Sequence, residues 1–150
     1  MIKIREANRS DAPSIIDFQL KMALETENLE LTKSVLESGV KAVFDEDSKG
    51  AYYVAEVDGT VVGSLLTTYE WSDWRNGQIL WIQSVYVANE FRGKGIYRNM
   101  YEYIKNKVRD HKLDFKGIRL YVDKTNGVAQ KVYKKLGMEN HHYEMYEWMM

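Results

Sequence analysis

Two glycines flank a lysine in Arg92-Gly93-Lys94-Gly95, directly after the apolar run Val85-Tyr86-Val87 and the short stretch behind it, and that grouping can bind an anion. Glycine reaches backbone conformations that other residues avoid, so the turn can aim several main-chain N–H groups outward. The positive end of a helix beginning at Ile96 would reinforce them. The product is a cradle for phosphate. A short Gly-Lys-Gly turn also serves simply to start a helix, so it needs a second feature before a ligand can be named. Acids and indoles make the other chemically suggestive group: Glu25 and Glu27 in one segment, Glu70, Trp71, Asp73 and Trp74 in another, with Trp81 a few residues on. Carboxylates interleaved with tryptophan suit a cationic amine, which gains both charge attraction and cation–π contact. The plainer reading is that the indoles cover the core and the acids are solvated. Arg75 in the same stretch can neutralise an acid or bind a carboxylate, which keeps an amino acid or a peptide open as the ligand.

Periodicity and punctuation supply the elements that would hold these groups. Residues 2–5 read as a short strand, and Ser10 or Asp11 with Pro13 in the first turn opens a helix through Ile15, Ile16, Phe18, Leu20 and Met22. A second helical segment runs from about 31 to 44. Apolar strands at 51–57 and 61–69 are joined by Asp58-Gly59, a strong hairpin signal, and Asn76-Gly77 turns the chain into a long strand at 78–87 that delivers the phosphate turn. A helix at 96–112 and a strand at 117–122 follow. Asn126 is placed as an N-cap for a helix at 126–136, where Ala129, Val132, Tyr133 and Leu136 fall at helical spacing and Gly137 ends it. Residues 143–148 read as a closing strand, suited either to the core or to the edge of a homodimer. The order is βααβββαβαβ, a mixed α/β sheet with helices on both faces, in one domain spanning 1–150.

The pair Arg92-Gly93-Lys94-Gly95-Ile96-Tyr97 and Asn126-Gly127-Val128-Ala129-Gln130-Lys131-Val132-Tyr133 resembles the signature of the general amine N-acetyltransferase superfamily, GNAT. That signature is an Arg/Gln-x-x-Gly-x-Gly/Ala pyrophosphate turn and a later Asn-x-x-Ala-x-x-x-Tyr helix. The likeness extends over essentially the whole chain, since Ile4-Arg5-Glu6-Ala7, Asp11 and Ile15-Ile16 look like the family's first strand and helix. Tyr97 stands where the family usually has Gly or Ala, and Asn89 where it often has Pro. A main-chain cradle tolerates a side chain that points away from the anion, and Tyr97 would then cover the nucleotide part of the ligand.

The resemblance implies a mostly antiparallel sheet whose fourth and fifth strands are splayed by a bulge, with acetyl-CoA as co-substrate. The main chain of Val85, Tyr86 and Val87 would bind the pantetheine arm, and Arg92, Gly93, Lys94, Gly95, Ile96, Tyr97 and Arg98 would surround the pyrophosphate. Asn126, Ala129 and Tyr133 would hold the arm from the other side. Direct transfer from a thioester to an amine needs an unprotonated amine, a donor for the tetrahedral oxyanion and a proton for the departing thiolate. Tyr133 matches the family's tyrosine, and a phenol of pKa about 10 can supply that proton. The Val85 N–H can meet the oxyanion. Glu70 is the candidate base, acting through a water that Gln83 would order.

Composition narrows the alternatives. The chain has 150 residues and no cysteine, so disulfides, a thiolate nucleophile and an acetyl-cysteine intermediate are excluded within it. His141-His142 with a distant His111 lack the spaced ligands of a metal site, and no metal is expected. No charged start followed by an apolar run appears at Met1 and no stretch is long enough to span a membrane, which makes the cytoplasm the default. A net charge of −1 argues against a nucleic-acid partner, although Lys105, Lys107, Arg109 and Lys112 make one helix locally basic. The expected activity is therefore acetyl transfer to a small cationic amine. The other readings are a protein or peptide N-acetyltransferase, an acyl-CoA-binding sensor without turnover, and a nucleotide or RNA binder.

Overall fold

Arg5 and Asp11 fix the way the chain begins. Strand β1 (Ile2–Glu6) leads into a tight 3-10 turn, Arg9–Asp11. Asn8 caps the turn by accepting from the Ser10 N–H at 2.9 Å, and the Asp11 carboxylate accepts from the Asn8 N–H at 2.8 Å. The same carboxylate receives both guanidinium nitrogens of Arg5, at 2.7 and 2.9 Å, while Arg5 also reaches Glu56 at 3.0 Å. Helix α1 (Ala12–Glu27) starts on this clamp with Pro13 in its first turn and stops at Asn28, whose left-handed backbone (φ 50°) ends the helical run. Helix α2 (Lys33–Asp45) follows.

The computed structural model describes residues 1–110 and 114–150, which fall into two units, Met1–Arg119 and Leu120–Met150. The first holds β2 (Ala51–Val57), β3 (Thr60–Ser72), β4 (Gly77–Val87), helix α3 (Ile96–Arg109) and β5 (Phe115–Arg119). Consecutive strand residues point to opposite faces, and β2 uses both. Tyr52 and Val54 join Ile15 of α1 and Val40 of α2 in one core cluster. Tyr53, on the other face, lies 5.8 Å from the Tyr103 ring of α3. Helix α3 turns Ile96, Met100, Tyr101 and Ile104 inward, one side of a 3.6-residue period. Met100 and Ile104 are fully buried, each adding about 1.5–3 kcal/mol of apolar transfer energy. Helices thus cover both faces of the sheet.

Among the described residues the sheet has five strands in the order β1-β2-β3-β4-β5. The first three pairings are antiparallel and β4–β5 is parallel. Asp58 and Gly59 both take positive φ, 49° and 79°, the two-residue turn that the sequence calls for between β2 and β3. The β4–β5 register runs only from Gln78↔Phe115 to Trp81↔Arg119. The pairing stops where β5 itself stops, and the register gives 82–87 of β4 no partner in β5. β5 covers 115–119 rather than the 117–122 read from the sequence, so it ends before the bulge of β4.

In the second unit, Asn126 caps α4 (Gly127–Lys135) by accepting from the Ala129 N–H at 3.1 Å, and Gly137 follows with φ 86°. The expected closing strand at 143–148 does not form. Alternating apolar residues make a segment able to be a strand, but only a paired edge makes it one, and periodicity cannot supply the partner. The end of the basic helix at Lys112, and His111, lie outside the described residues. Lys105 and Lys107 rest on aromatic rings, Lys105 over Tyr101 and Lys107 over Tyr53 and Tyr103.

Candidate functional site

One extra residue in β4 shapes the centre of the candidate site. Gln83 pairs with Leu66 and Tyr86 with Ser64, so Ser84 and Val85 together stand opposite the single residue Leu65. Ser84 takes a left-handed backbone, φ 53°, the sign of a β-bulge. Because the side-chain period of a strand is two, the insertion reverses parity downstream. Tyr86 rather than Val85 falls on the α1 face, where it stacks on Phe18 at 5.2 Å. Gln19 of α1, only 5% exposed, donates its side-chain N–H to the Ser84 carbonyl at 3.0 Å.

Past the bulge, β4 ends at Val87 and a short 3-10 turn, Asn89–Phe91, leads to the glycine turn. Gly93 and Gly95 both have positive φ, 73° and 79°, on either side of Lys94, and Gly95 immediately precedes α3. Left-handed residues alternating with ordinary ones turn successive N–H groups into a concave anion site, here at the positive end of a helix of fourteen residues. Arg92 does not extend from this turn. Its Nε donates to the Val87 carbonyl at 2.7 Å, its guanidinium lies 5.1 Å from the Tyr86 ring centre, and a terminal nitrogen reaches Glu25 at 2.8 Å. Glu25 also accepts from the Tyr86 hydroxyl at 3.1 Å. Arg92 holds the Glu25 carboxyl below the usual carboxylate range, and desolvation beside that carboxylate pushes the Tyr86 phenol up. Lys94 sits 5.2 Å from the centre of the Phe91 ring, and the Tyr97 ring lies 6.4 Å from Tyr101 on α3. Arg98 is exposed on the first turn of α3, where Ile96 is buried.

A second group forms farther up β4. Glu70 accepts from Trp81 Nε1 at 2.8 Å and from Arg119 at 2.7 and 2.9 Å. Burial raises its affinity for a proton, but the donors Trp81 and Arg119 together outweigh that and leave the carboxyl below its ordinary range. Glu70 is accordingly a poor proton acceptor at neutral pH. Gln83 donates to the Thr68 hydroxyl on the same face of the sheet.

The acids and indoles that the sequence groups together are thus divided. Glu25 sits with Tyr86 and Arg92, four steps of the β3–β4 ladder, or roughly 13 Å, from Trp81 and its partner Glu70. Trp71 and Trp74 stand around the β3–β4 turn, 62% and 88% exposed, so they do not cap a core. Asp73 accepts from the Trp74 N–H at 2.9 Å, and Glu27 is exposed at the end of α1. On α4, Asn126, Ala129 and Tyr133 fall at helical spacing. Gln19 is the residue that sequence reasoning missed. Its signal is a polar side chain set in the apolar stripe Ile15, Phe18, Ala23 of α1.

A glycine turn at the head of a helix thus follows a bulged strand whose parallel neighbour ends short of the bulge. The model of the acetyltransferase (GNAT) family matches residues 19–138, and the chain belongs to that family. Among solved structures, a possible acetyltransferase from Clostridium difficile 630 is 47% identical, with a TM-score of 0.91, over 100% of this chain and 98% of that one. The structure of AAC(6')-Iy in complex with the bisubstrate analogue CoA-S-monomethyl-acetylneamine is 13% identical, with a TM-score of 0.81, over 100% and 99% of the two chains. Ribosomal-protein-alanine N-acetyltransferase from Brucella melitensis biovar Abortus 2308 is 14% identical, with a TM-score of 0.79 and full coverage of both chains. The last two are likenesses of fold. No curated protein matches the chain.

Proposed function

We propose that this chain is an acetyl-CoA-dependent N-acetyltransferase in which a primary amine attacks the thioester directly, and that its two units act as one domain. The carrying observation is the bulge at Ser84 and Val85 beside a β4 edge that β5 does not reach, followed through a short 3-10 turn, Asn89–Phe91, by the glycine turn. Such an edge presents main-chain N–H and C=O groups to an extended amide-bearing arm. The family model, which runs through both units, supports the single-domain reading.

In this reading Val85, Tyr86 and Val87 offer main-chain groups to the pantetheine, with the Val87 carbonyl shared with Arg92. The residues from Gly93 to Arg98 hold the pyrophosphate, and Arg92 braces the turn. Asn126 commits Oδ1 to its cap and keeps its NH2 for the arm. The amine forms the new C–N bond to give a tetrahedral oxyanion, and collapse of that oxyanion breaks the C–S bond. The Val85 N–H takes the oxyanion, Tyr133 gives its proton to the leaving thiolate, and the amine sheds one proton through water beside Gln83. Glu70 serves as a fixed, charge-neutralised wall rather than as the base.

For the acceptor, exposed Trp71 and Trp74 beside Asp73 support a small cationic amine, and the neighbour carrying a CoA-linked acetylneamine fits that class. The ion pair that disarms Glu70 favours a second reading, an acyl-CoA-binding module without turnover. Thiol release from acetyl-CoA against polyamines, aminoglycosides, amino acids and lysine-containing peptides, with calorimetry on the same preparation, separates the two. Turnover with a cationic amine upholds the enzyme, binding without turnover upholds the module, and absence of binding overturns both.

A further inference from the structure

We infer that Gln19 is a positioning residue for the proposed reaction: by holding the Ser84 carbonyl it fixes the peptide plane that carries the Val85 N–H. The inference rests on the acetyltransferase reading above, which makes that N–H the oxyanion donor. Ser84 C=O and Val85 N–H belong to one planar trans peptide, so they point in opposite directions and turn together. A donor placed on the carbonyl therefore sets the direction of the N–H. It also polarises the peptide and strengthens the N–H as a donor to developing negative charge.

Three observations single out this contact. The peptide sits in the bulge, where the ladder register assigns neither Ser84 nor Val85 a partner in β3, so regular ladder pairing does not set its orientation. Ser84 is held at φ 53°, a conformation that a non-glycine residue keeps only when its surroundings impose it. The holding group comes from a helix 65 residues away in sequence, on a buried stripe where an apolar side chain would otherwise be expected. A leucine at position 19 would fill the same space without a donor.

The test compares wild type with Gln19→Leu and Gln19→Glu, using acetyl-CoA and the best amine from the panel. Gln19→Leu is expected to lower kcat about 10- to 100-fold, short of deleting an oxyanion donor outright, with acetyl-CoA affinity within twofold. In Gln19→Glu the protonated acid can still donate to the Ser84 carbonyl and the carboxylate cannot. Its kcat relative to wild type should therefore rise as pH falls, a titration that a merely structural role would not produce. In the ligand-free protein the Val85 amide proton resonance should move upfield in Gln19→Leu. A Gln19→Leu kcat within twofold of wild type overturns the inference, as does a parallel loss of kcat and affinity with the Val85 resonance unmoved. A wild type that binds acetyl-CoA but never turns over defeats the acetyltransferase reading instead. The hold of Gln19 on Val85 is then decided by the amide resonance alone, a shift sustaining it and no shift removing it.

Discussion

Asp11→Asn is expected to destabilise the Met1–Arg119 unit by about 3 kcal/mol at pH 7, because it cuts the clamp on which α1 is mounted. The Asp11 side chain is 6% exposed and receives two hydrogen bonds from Arg5 and one from the Asn8 main chain. Asparagine keeps one acceptor oxygen and turns an NH2 toward donors, so two bonds to a charged acceptor are lost. At about 1.5 kcal/mol each, the sum is about 3 kcal/mol, at the low end for breaking a buried ion pair. A single 150-residue domain has an unfolding entropy of about 0.32 kcal/mol per kelvin, which converts the loss into a fall of about 9 °C in Tm.

The pH dependence gives a second handle on the same clamp. Arg5, followed by the Asn8 N–H, holds the Asp11 carboxyl below its ordinary range despite desolvation. The unfolded chain therefore takes up the proton at a higher pH than the folded one. The contribution is complete above the unfolded value, about 3.9, and is lost as pH falls through the folded one. Calorimetry at pH 7, 5 and 3 should show the same gap between wild type and variant at the first two and a narrower gap at the third. A gap below about 4 °C at pH 7, or one that persists undiminished at pH 3, would refute the reasoning.

Other expectations follow from the site. Tyr133→Phe should lower kcat about 100-fold, as expected for loss of a general acid, with acetyl-CoA affinity within twofold by calorimetry; an unchanged kcat removes the role. Gly95→Pro replaces a left-handed residue (φ 79°) by one fixed near −65° and deletes an N–H. Acetyl-CoA affinity should fall about 10-fold or more, with circular dichroism as the control on folding, and unchanged affinity would reject the phosphate cradle. Glu70→Gln should leave kcat at pH 7 within about threefold, since an ion-paired carboxylate contributes little as a base. A loss of 100-fold would reinstate Glu70 as the proton acceptor.

Local signals carried most of the architecture. Asp58-Gly59 and Asn76-Gly77 placed both hairpins, and the spacing in 96–109 and 127–135 placed the last two helices within a few residues. The two signature segments announced the family. What stayed hidden depends on contacts between distant residues. Arg92 and Glu25 are 67 positions apart, and their pairing moved Glu25 out of the acceptor group and Arg92 off the open turn. Glu70 looked available because Arg119, 49 positions later, had no visible connection to it. The bulge was implied by resemblance, but nothing about a serine announces a left-handed backbone, so its place at Ser84 could not be read. The strand expected at 143–148 failed for a related reason, since its partner edge is not encoded in its own alternation.

The parity reversal at Ser84 makes β4 two half-strands with separate addresses. Side chains upstream, such as Trp81 and Gln83, can be exchanged without changing which residues downstream face α1 or deliver the chain to the glycine turn. A lineage could thus vary the side chains at one end of the strand while inheriting the path into the glycine turn intact at the other. Deleting the single inserted residue would join the two halves and exchange the faces of everything that follows.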